Sequence, residues 1–460
     1  MWRALLNAWR VKELRNRLLF TALIIVLVRF ASSIPCPGVN PSALEDFISD
    51  LASNNKTGGG LMAMIDIFSG GAMTHFALGA LGIMPYITAS IIMQLLVPVI
   101  PALEKLQREG ESGRGKITQY TRYLTLVVCA FQGVMVAMAM INPERIGLRA
   151  PANPLFVGNE MLFIIVNVLV LTCTTMVFTW LGEQVTERGI GNGVSLIITI
   201  GIVSRMPHAV IQLVEMAAKG ATPTGAPFRP VQLLLLLAVF FIVTAATILL
   251  SQGYRRVPIQ MVRKGSGGRM TDGSTYMPLK VNFANVMPII FAGAIMMFPA
   301  MLFGVLARRQ GASDIWGTLA QAFQHDTLTY AVVYGILIIL FSFFWVANQF
   351  NPLQIADNLK KEGAFIPGIS PGQPTADFLD AAMTRVTAGG AVFLLALALF
   401  PMFLYNTFGI PFMVAQFFGG TSLLIMVGVV LDTMSQLESH LTMRHYEGFL
   451  KSGRLRSRSN

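Results

Sequence analysis

Long apolar stretches, separated by shorter polar segments, are the dominant pattern along this chain. A helix needs roughly 20 mainly apolar residues to cross a bilayer. Ten stretches come close to that length, at approximately residues 18–34, 74–98, 123–142, 161–181, 190–206, 231–251, 283–304, 328–349, 386–405 and 412–432. The pattern predicts an all-α polytopic membrane protein with ten transmembrane helices.

The second stretch has an unusual composition for a membrane helix. Its residues 78–96 read LGALGIMPYITASIIMQLL, in which glycines and a proline that weaken a helix stand beside small polar side chains. Ile83 and Ile87 are one helical turn apart and would therefore share one helix face. Most isoleucines in such a segment contact lipid or neighbouring helices, so the spacing alone does not assign them a function.

The composition supports a membrane protein, since 54% of the residues are hydrophobic and 12% are charged, against about 25% charged in soluble domains. The net charge of +11 would fit nucleic-acid binding, but the distribution of the basic residues gives another explanation. Of the 34 Lys and Arg residues, 25 fall in segments that alternate onto one side of the membrane: 1–17, 99–122, 182–189, 252–282, 350–385 and the tail after 435. Because basic residues are retained in the cytoplasm, both termini are predicted to be cytoplasmic.

Ten spans divide naturally into two halves of five. We expect a first half at 18–206 and a second at 231–435, joined by an external hinge link at 207–230 and flanked by cytoplasmic segments 1–17 and 436–460. An odd number of spans per half gives the halves opposite orientations, as in proteins built from inverted repeats. No sequence repeat supports this division, so the prediction rests on the count of spans.

Chemically active groups are scarce inside the predicted spans. Arg29 lies near the outer end of the first span, where its side chain is expected to reach the membrane interface. No hydrolase, metalloprotease or nucleotide-binding motif is present, and the widely spaced Cys36, Cys129 and Cys173 show no metal-binding pattern. The sequence therefore predicts neither an enzyme nor a cofactor.

Two other classes of membrane protein remain alternatives. A secondary transporter of a small solute would fit inverted halves and broken helices, although such proteins usually keep charged groups near the membrane midplane. An intramembrane protease would need a catalytic pair within the spans, and none is visible in the sequence.

Five stretches resemble the SecY family, the central subunits of the bacterial protein-conducting channel. They are residues 78–96, EGESGRGKITQYTRY (109–123), WLGEQVTERGIGNGVSL (180–196), FNPLQIADNLKKEGAF (350–365) and FGGTSLLIMVGVVLD (418–432). The resemblance extends from about residue 10 to 450. It implies two inverted five-helix halves around an hourglass pore in the bacterial cytoplasmic (inner) membrane. It also implies the function: unfolded secretory proteins would pass across the membrane, and membrane segments would leave sideways into lipid.

The resemblance implies how such a pore is closed. At its waist, an apolar ring would gate by dewetting and would fit around a chain of any sequence, since it offers no fixed polar partner. By motif position the ring residues are Ile83, Ile87, Val194, Ile198, Ile290 and Ile425. The isoleucines of the second stretch would then face a pore rather than lipid.

Two further elements follow from the resemblance. The glycine-flanked segment 58–73 would be a plug helix folded back into the outer funnel, although the residues alone would equally fit an amphipathic surface turn. Its plug positions are Met64, Ile65, Ile67, Phe68 and Gly70. A lateral gate toward lipid would include Thr88, Gln94 and Phe298, side chains that otherwise serve ordinary helix packing and hydrogen bonding in membranes.

Loops 252–282 and 350–385, on the predicted cytoplasmic side, would receive partners that supply the energy. In the family these are the SecA motor and the ribosome, whose RNA phosphates favour basic residues, while SecE and SecG are the membrane subunits. The docking candidates are Arg255, Arg256, Arg263, Lys264, Arg269, Lys360 and Lys361, although the topology signal explains most of this charge by itself. The chain departs from the family pattern at Ser370, where an arginine is common and serine cannot make its charged contacts.

Overall fold

The computed structural model describes residues 9, 11–44, 46–47, 69–142, 154–220, 230–261, 273–306, 314–323 and 327–452. Each of the ten predicted stretches contains a helix within this part of the chain. Seven of the described helices are long and apolar enough to cross a membrane, or eight when one sharply bent pair is counted as a single span. A mostly helical membrane protein is therefore confirmed, and ten spans are consistent with the structure.

The chain divides into two compact units. The first comprises Met1–Gln212 with Ile425–Asn460, and the second comprises Leu213–Leu424. One boundary lies inside the helix Gly193–Lys219, so the early part of the predicted link 207–230 is helical.

The first unit contains the amino-terminal helices and most of the last one. They are α1 (Lys12–Ala31), α2 (Met84–Leu96), α3 (Pro101–Arg108), α4 (Glu111–Ile141), α5 (Glu160–Arg188), α6 (Gly193–Lys219) and, at the end of the chain, α14 (Thr421–Ser452). The long α4 packs against α2, α3 and α5, and α1 packs against α5. Arg122 and Glu183 form an ion pair between α4 and α5, with the guanidinium Nε 3.0 Å from a carboxylate oxygen.

The second predicted stretch is only partly helical, because α2 begins at Met84 rather than near residue 74. The residues before it form turns, in which Phe76 and Gly82 have positive φ angles of 41° and 55°. Pro85 favours a helix start at this point, since proline fits the first turn of a helix. The 13 residues of α2 span about 20 Å, less than the roughly 30 Å of a bilayer's hydrocarbon core.

The turns before α2 are buried in protein, so their backbone groups need internal partners. The Cys36 N–H donates to the carbonyl of Phe76 at 2.9 Å, and the Leu78 N–H donates to that of Ile34 at 2.8 Å. The ring of Phe76 is fully buried and stacks on Phe163 of α5, with 6.3 Å between the ring centroids. The beginning of the second stretch is therefore a folded turn that packs beside the end of α1 and the start of α5.

The second unit holds the remaining helices and a small sheet. The helices are α7 (Pro230–Gln252), α8 (Met287–Leu306), α9 (Asp314–Ala322), α10 (Leu328–Gln349), α11 (Pro352–Lys361), α12 (Gln373–Phe408) and α13 (Phe412–Gly419). α10 packs against both α8 and α12, and α13 contacts α7 and α12. Phe291 of α8 packs edge-on against Phe341 and Trp345 of α10, with centroids 5.8 and 5.3 Å away.

The sheet is antiparallel, with the strand order β2-β1-β3. β1 (Tyr254–Met261) pairs with β2 (Gly273–Lys280) over its whole length. β3 (Ala364–Phe365) lies at the other edge of β1, where Gln260 is opposite Phe365. The two predicted cytoplasmic loops thus contain regular structure and are joined in one sheet.

The tenth predicted stretch, 412–432, is divided at Gly420, which is extended between α13 and α14. A Cβ atom on Gly420 would lie 2.8 Å from Cγ of Pro401 and 2.2 Å from Oε1 of Gln416, so glycine is needed for this close approach to α12. α12 itself continues through Pro401 and is longer at its amino-terminal end than the predicted span 386–405.

Candidate functional site

All six predicted ring residues lie on described helices or at a helix start. They are Ile83 and Ile87 of α2, Val194 and Ile198 of α6, Ile290 of α8 and Ile425 of α14. The isoleucines are buried, with exposed fractions from 2% for Ile425 to 9% for Ile87 and Ile290, and Val194 is half-buried. This burial excludes extensive lipid contact for the isoleucines, whereas their arrangement as one ring remains a prediction.

A glycine-rich turn, GIGNG at residues 189–193, determines where α6 begins. The Ile190 N–H donates to Thr21 Oγ1 of α1 at 3.3 Å, and the Gly191 N–H donates to Gln436 Oε1 of α14 at 3.1 Å. Gly191 has a φ of +89°, a conformation that favours glycine. Because α6 starts directly after this turn, side chains of α1 and α14 fix the position of the first two turns of α6, which carry its ring candidates.

α6 also approaches α5 closely at its first turn. A Cβ atom on Gly182 of α5 would lie 3.4 Å from Val194 Cγ2 and 3.4 Å from Ile197 Cδ1. The small residue in α5 therefore leaves room for these side chains, and part of the Val194 side chain is in contact with α5.

Two of the predicted gate residues bond within their own helix. Thr88 Oγ1 donates to the carbonyl of Met84, one turn earlier in α2, at 3.1 Å. Gln94 Nε2 donates to Ser90 at 3.2 Å, while Gln94 Oε1 is buried and has no hydrogen-bond donor among the described residues. The backbone of Phe298 belongs to α8, but its side chain lies outside the described part of the structure.

The predicted plug is described only at its carboxy-terminal end. Outside the described residues lie Met64, Ile65, Ile67 and Phe68. Gly70 is described at the start of the turns that precede α2, and its φ of +66° suits glycine. Its carbonyl oxygen accepts a hydrogen bond from Arg29 Nη1 at 3.1 Å and lies 3.1 Å from Ser204 Oγ. The end of the predicted plug segment is thus attached to α1 and α6.

Sequence reasoning misses the contacts of two arginines in this region. The sequence places Arg29 near the outer end of the first span but does not predict that its guanidinium donates to the Gly70 carbonyl. Arg205, which no motif singles out, donates from Nη2 to Thr74 Oγ1 at 2.9 Å. The sequence feature that could have identified both arginines is a full positive charge within a predicted span, because such a charge usually makes a specific contact.

The docking candidates fall into two groups. Outside the described residues lie Arg263, Lys264 and Arg269. Arg255 and Arg256 are exposed on β1, and Lys360 and Lys361 are exposed at the end of α11. The described candidates therefore come from both loops and are accessible to a partner.

Strand β1 directs its two arginines to opposite faces, because side chains alternate along a strand. Arg255 lies on the face of the buried Val257, whereas Arg256 lies on the other face beside Tyr254. The Arg256 guanidinium lies over the Tyr254 ring, 5.4 Å from its centroid. Pairing of β1 with β3, which follows shortly after α11, connects the strand that carries Arg256 with the helix that carries the two lysines.

Ser370 is exposed in the segment between β3 and α12. Its carbonyl oxygen accepts a hydrogen bond from Thr375 Oγ1 at 2.9 Å, which ties this segment to the first turn of α12. The position where the family commonly has an arginine is therefore accessible, but here it carries a short, uncharged side chain.

The described residues contain no group of three or more His, Cys, Asp or Glu side chains that could hold a metal ion. Cys36 and Cys129 are buried, and Cys173 is exposed. Burial raises the pKa of the Cys36 thiol to about 12, so this thiol stays protonated near neutral pH.

Comparison with known proteins adds sequence relationships to this geometry. A family profile described as SecY matches residues 77–434. "Protein translocase subunit SecY" of Thermotoga maritima is 38% identical over 461 residues, which cover 100% of both chains. The protein of that name from Streptomyces scabiei is 41% identical over 457 residues, covering 98% of this chain and 100% of its own. The one from Haemophilus influenzae is 40% identical over 449 residues, covering 96% of this chain and 95% of its own.

Solved structures with a similar fold are more distant in sequence. "The structure of a protein conducting channel" gives a TM-score of 0.61 at 17% identity over 92% of both chains. A structure that concerns the plug domain of the SecY protein and the closed state of the translocation channel gives 0.61 at 18% identity, also over 92% of both chains. "Sec61 in the Canine ribosome-channel complex from the endoplasmic reticulum" gives 0.59 at 17% identity and the same coverage. At these identities the similarity establishes the fold.

Proposed function

The chain belongs to the SecY family, and on this basis we propose that it forms the protein-conducting channel of a Sec translocase. The channel passes unfolded secretory proteins across the membrane and releases apolar segments sideways into lipid, and the chain is not itself an enzyme. The observation that carries the proposal is similarity over the whole length, with 38% identity across 100% of the chain to a protein named as a translocase subunit.

An apolar ring explains how one pore admits many sequences. Isoleucine and valine side chains offer no hydrogen-bond partner, so the ring fits around any passing chain and excludes water when no chain is present. The burial of the five isoleucines supports this role, since a pore constriction must lie inside the protein.

The plug and the lateral gate hold the closed state. Attachment of Gly70 to α1 and α6 supports a plug that is fixed at its carboxy-terminal end in the closed state. The buried, unpartnered acceptor of Gln94 supports a gate whose polar contacts are incomplete in the described structure. A signal segment opens such a gate only when it binds the open state more tightly than the closed one.

The channel works in the bacterial cytoplasmic membrane, with both termini in the cytoplasm. The bias of 25 of 34 basic residues to one predicted side supports this orientation. SecE and SecG are its membrane partners, and SecA or a translating ribosome supplies the energy. Exposed Arg256, Lys360 and Lys361 support docking of an anionic partner, and one structure of similar fold is a ribosome–channel complex.

A crosslinking experiment tests the pore. Cys36, Cys129 and Cys173 are replaced by serine, one cysteine is introduced by Ile290→Cys, and a secretory precursor with one cysteine in its mature region is stalled during export. We expect a disulfide adduct that requires both the signal sequence and stalling, because the chain passes through the ring.

Ile289→Cys provides the matched control. Ile289 is 3% exposed, next to Ile290 in α8, but about 100° away around the helix, so it should give little adduct. The pore assignment is wrong if the Ile290→Cys channel forms no adduct with the stalled chain, or if both positions react equally.

A further inference from the structure

Two arginines from different helices meet at one turn in the first unit. Arg29 lies in the last turn of α1 and Arg205 lies in α6, and both reach residues 70–74, within the turns that precede α2. The two guanidinium groups lie against successive residues of the turn, Arg29 against Gly70 and Arg205 against Gly71. Because like charges repel, hydrogen-bond acceptors at the turn stabilise this arrangement.

Gly70 supplies the first acceptor. Its carbonyl oxygen accepts from Arg29 Nη1 at 3.1 Å, and Ser204 Oγ of α6 lies at the same distance. Ser204 Oγ is also 2.7 Å from the carbonyl oxygen of Gly201, so its single proton is shared between two acceptors. One backbone oxygen of the turn thus lies between donors from two helices.

The turn fits this position because Gly70 and Gly71 have no side chains. A Cβ atom on Gly70 would lie 2.6 Å from Arg29 Nη1 and 2.7 Å from Gly201 Cα. A Cβ atom on Gly71, where φ is +95°, would lie 3.0 Å from Cζ of Arg205. The backbone of the turn therefore lies directly against both guanidinium groups and against α6.

Thr74 supplies the second acceptor. Arg205 Nη2 donates to Thr74 Oγ1 at 2.9 Å, and the same hydroxyl donates to the Gly71 carbonyl oxygen at 2.8 Å. The hydroxyl therefore links the guanidinium to the backbone of the turn. If the turn moved away, each half-buried arginine would lose an acceptor, so both arginines favour the docked position.

We propose that Arg29, Ser204 and Arg205 are positioning residues that anchor the carboxy-terminal end of the plug at residues 70–74 and thereby stabilise the closed channel. This inference rests on the proposed function, since it requires segment 58–73 to be the plug. The anchored turn continues into α2, which begins directly after the ring candidate Ile83. The anchor thus connects the plug to a helix that contributes to the ring.

Ion conductance of the resting, purified channel complex in planar bilayers tests the anchor. Arg29→Gln removes the charge and shortens the donor, and we expect the resting conductance to rise about tenfold, the factor that corresponds to loss of one charge-assisted hydrogen bond. Arg29→Lys keeps the charge and one donor and should stay closer to the parent channel.

Lys219→Gln controls for the loss of one positive charge. Lys219 is exposed at the end of α6. Its ammonium group forms an ion pair with Glu215 of the same helix at 3.2 Å and is not part of the hydrogen bonds at the anchored turn. This variant should leave the conductance unchanged. Ser204→Ala removes only a hydroxyl, so it tests the anchor even if Arg29→Gln fails to assemble, and it should raise the conductance by a smaller factor.

Deletion of residues 62–70 distinguishes a failure of the anchor proposal from a failure of the plug proposal. The deletion should raise conductance by itself, and Arg29→Gln should add nothing in that background, because Gly70, the acceptor of Arg29, is gone. Parental conductance in the Arg29→Gln and Ser204→Ala channels overturns the anchor while the deletion result still supports the plug. The anchor is also overturned if Arg29→Gln has the same effect with and without the deletion. If the deletion leaves conductance unchanged, the plug proposal fails, and the anchor fails with it.

Discussion

At the scale of single residues, the buried isoleucines determine how well the closed pore excludes water. Ile425 is 2% exposed and Ile290 is 9% exposed, so an asparagine at either position would place an amide among apolar atoms. Burying an unpaired amide costs about 1–3 kcal/mol, which changes a closed-to-open ratio by roughly 5- to 150-fold. We expect Ile290→Asn and Ile425→Asn to favour a wetted, open channel that exports precursors with defective signal sequences.

The measurement is the fraction of a defective-signal precursor that is exported in cells. Leu424→Asn is the control, because Leu424 is 3% exposed beside Ile425 and reports general destabilisation of the fold. The ring assignment is contradicted if neither substituted isoleucine improves export, or if Leu424→Asn improves it equally.

Some features of the candidate site can be predicted from residue identities, and others cannot. The isoleucine candidates follow from residue type and motif position, and their burial agrees with an internal location. The partner of Arg29 is not predictable, because Gly70 is 41 residues away along the chain and the contact depends on a positive φ angle there. A long-range contact of this kind leaves no local pattern in the sequence.

At the scale of elements, the GIGNG turn before α6 should be sensitive to any added side chain. A Cβ atom on Gly191 would lie 2.9 Å from Thr433 Oγ1 and 3.2 Å from Leu196 Cδ1, and the residue has a φ of +89°. Backbone strain and this crowding together should destabilise the Gly191→Ala protein by about 1–3 kcal/mol. Thermal unfolding of the purified complex should show a melting temperature lower by several degrees.

Gly220→Ala separates the two causes. Gly220 has a φ of +62°, and a Cβ atom there would meet no atom of the described residues within 4 Å, so its substitution adds backbone strain without crowding. We therefore expect a smaller loss of stability than for Gly191→Ala. An equal or larger loss at Gly220 would contradict a packed role for the turn.

Helix positions are predictable where a continuous apolar run has clear ends. The stretch 328–349 coincides with α10, which is capped by Thr327 accepting from the Tyr330 N–H at 3.3 Å. The start of α2 is not predictable from hydropathy, because the turns that precede it are as apolar as a helix and are stabilised by burial. The pairing of β1 with β3 escapes prediction because it joins segments about a hundred residues apart, and strand pairing of that range has no local signal.

At the scale of the whole molecule, the last helix makes contacts with parts of the chain that are distant in sequence. Counting spans places the last helix with the second half, whereas Ile425–Asn460 belongs to the first unit. Leu14, Ile190 and Leu437 form a shared core there, and the bond from Gly191 to Gln436 connects residues 245 positions apart. The grouping of α14 therefore depends on tertiary contacts that a count of spans does not contain.

The sheet that joins the two loops leads to a prediction about where the protein binds the ribosome. It pairs the strand that carries Arg256 of one loop with β3, which follows the helix that carries Lys360 and Lys361 of the other, and all three side chains are exposed. The variant Arg256→Gln with Lys360→Gln and Lys361→Gln should weaken ribosome binding. A control variant with Lys105→Gln, Arg114→Gln and Lys116→Gln removes three exposed charges from α3 and α4, which are not part of the sheet.

The dependence of ribosome affinity on salt distinguishes specific docking from general attraction. Each phosphate contact contributes about −0.7 to −0.9 to the slope of log K against log salt, so loss of three contacts should reduce the magnitude of the slope by about 2 to 3. A general electrostatic attraction would respond to both triple variants alike, because each removes three positive charges. We expect the larger reduction in the sheet variant, and equal slopes for the two variants would show that the sheet is not the docking surface.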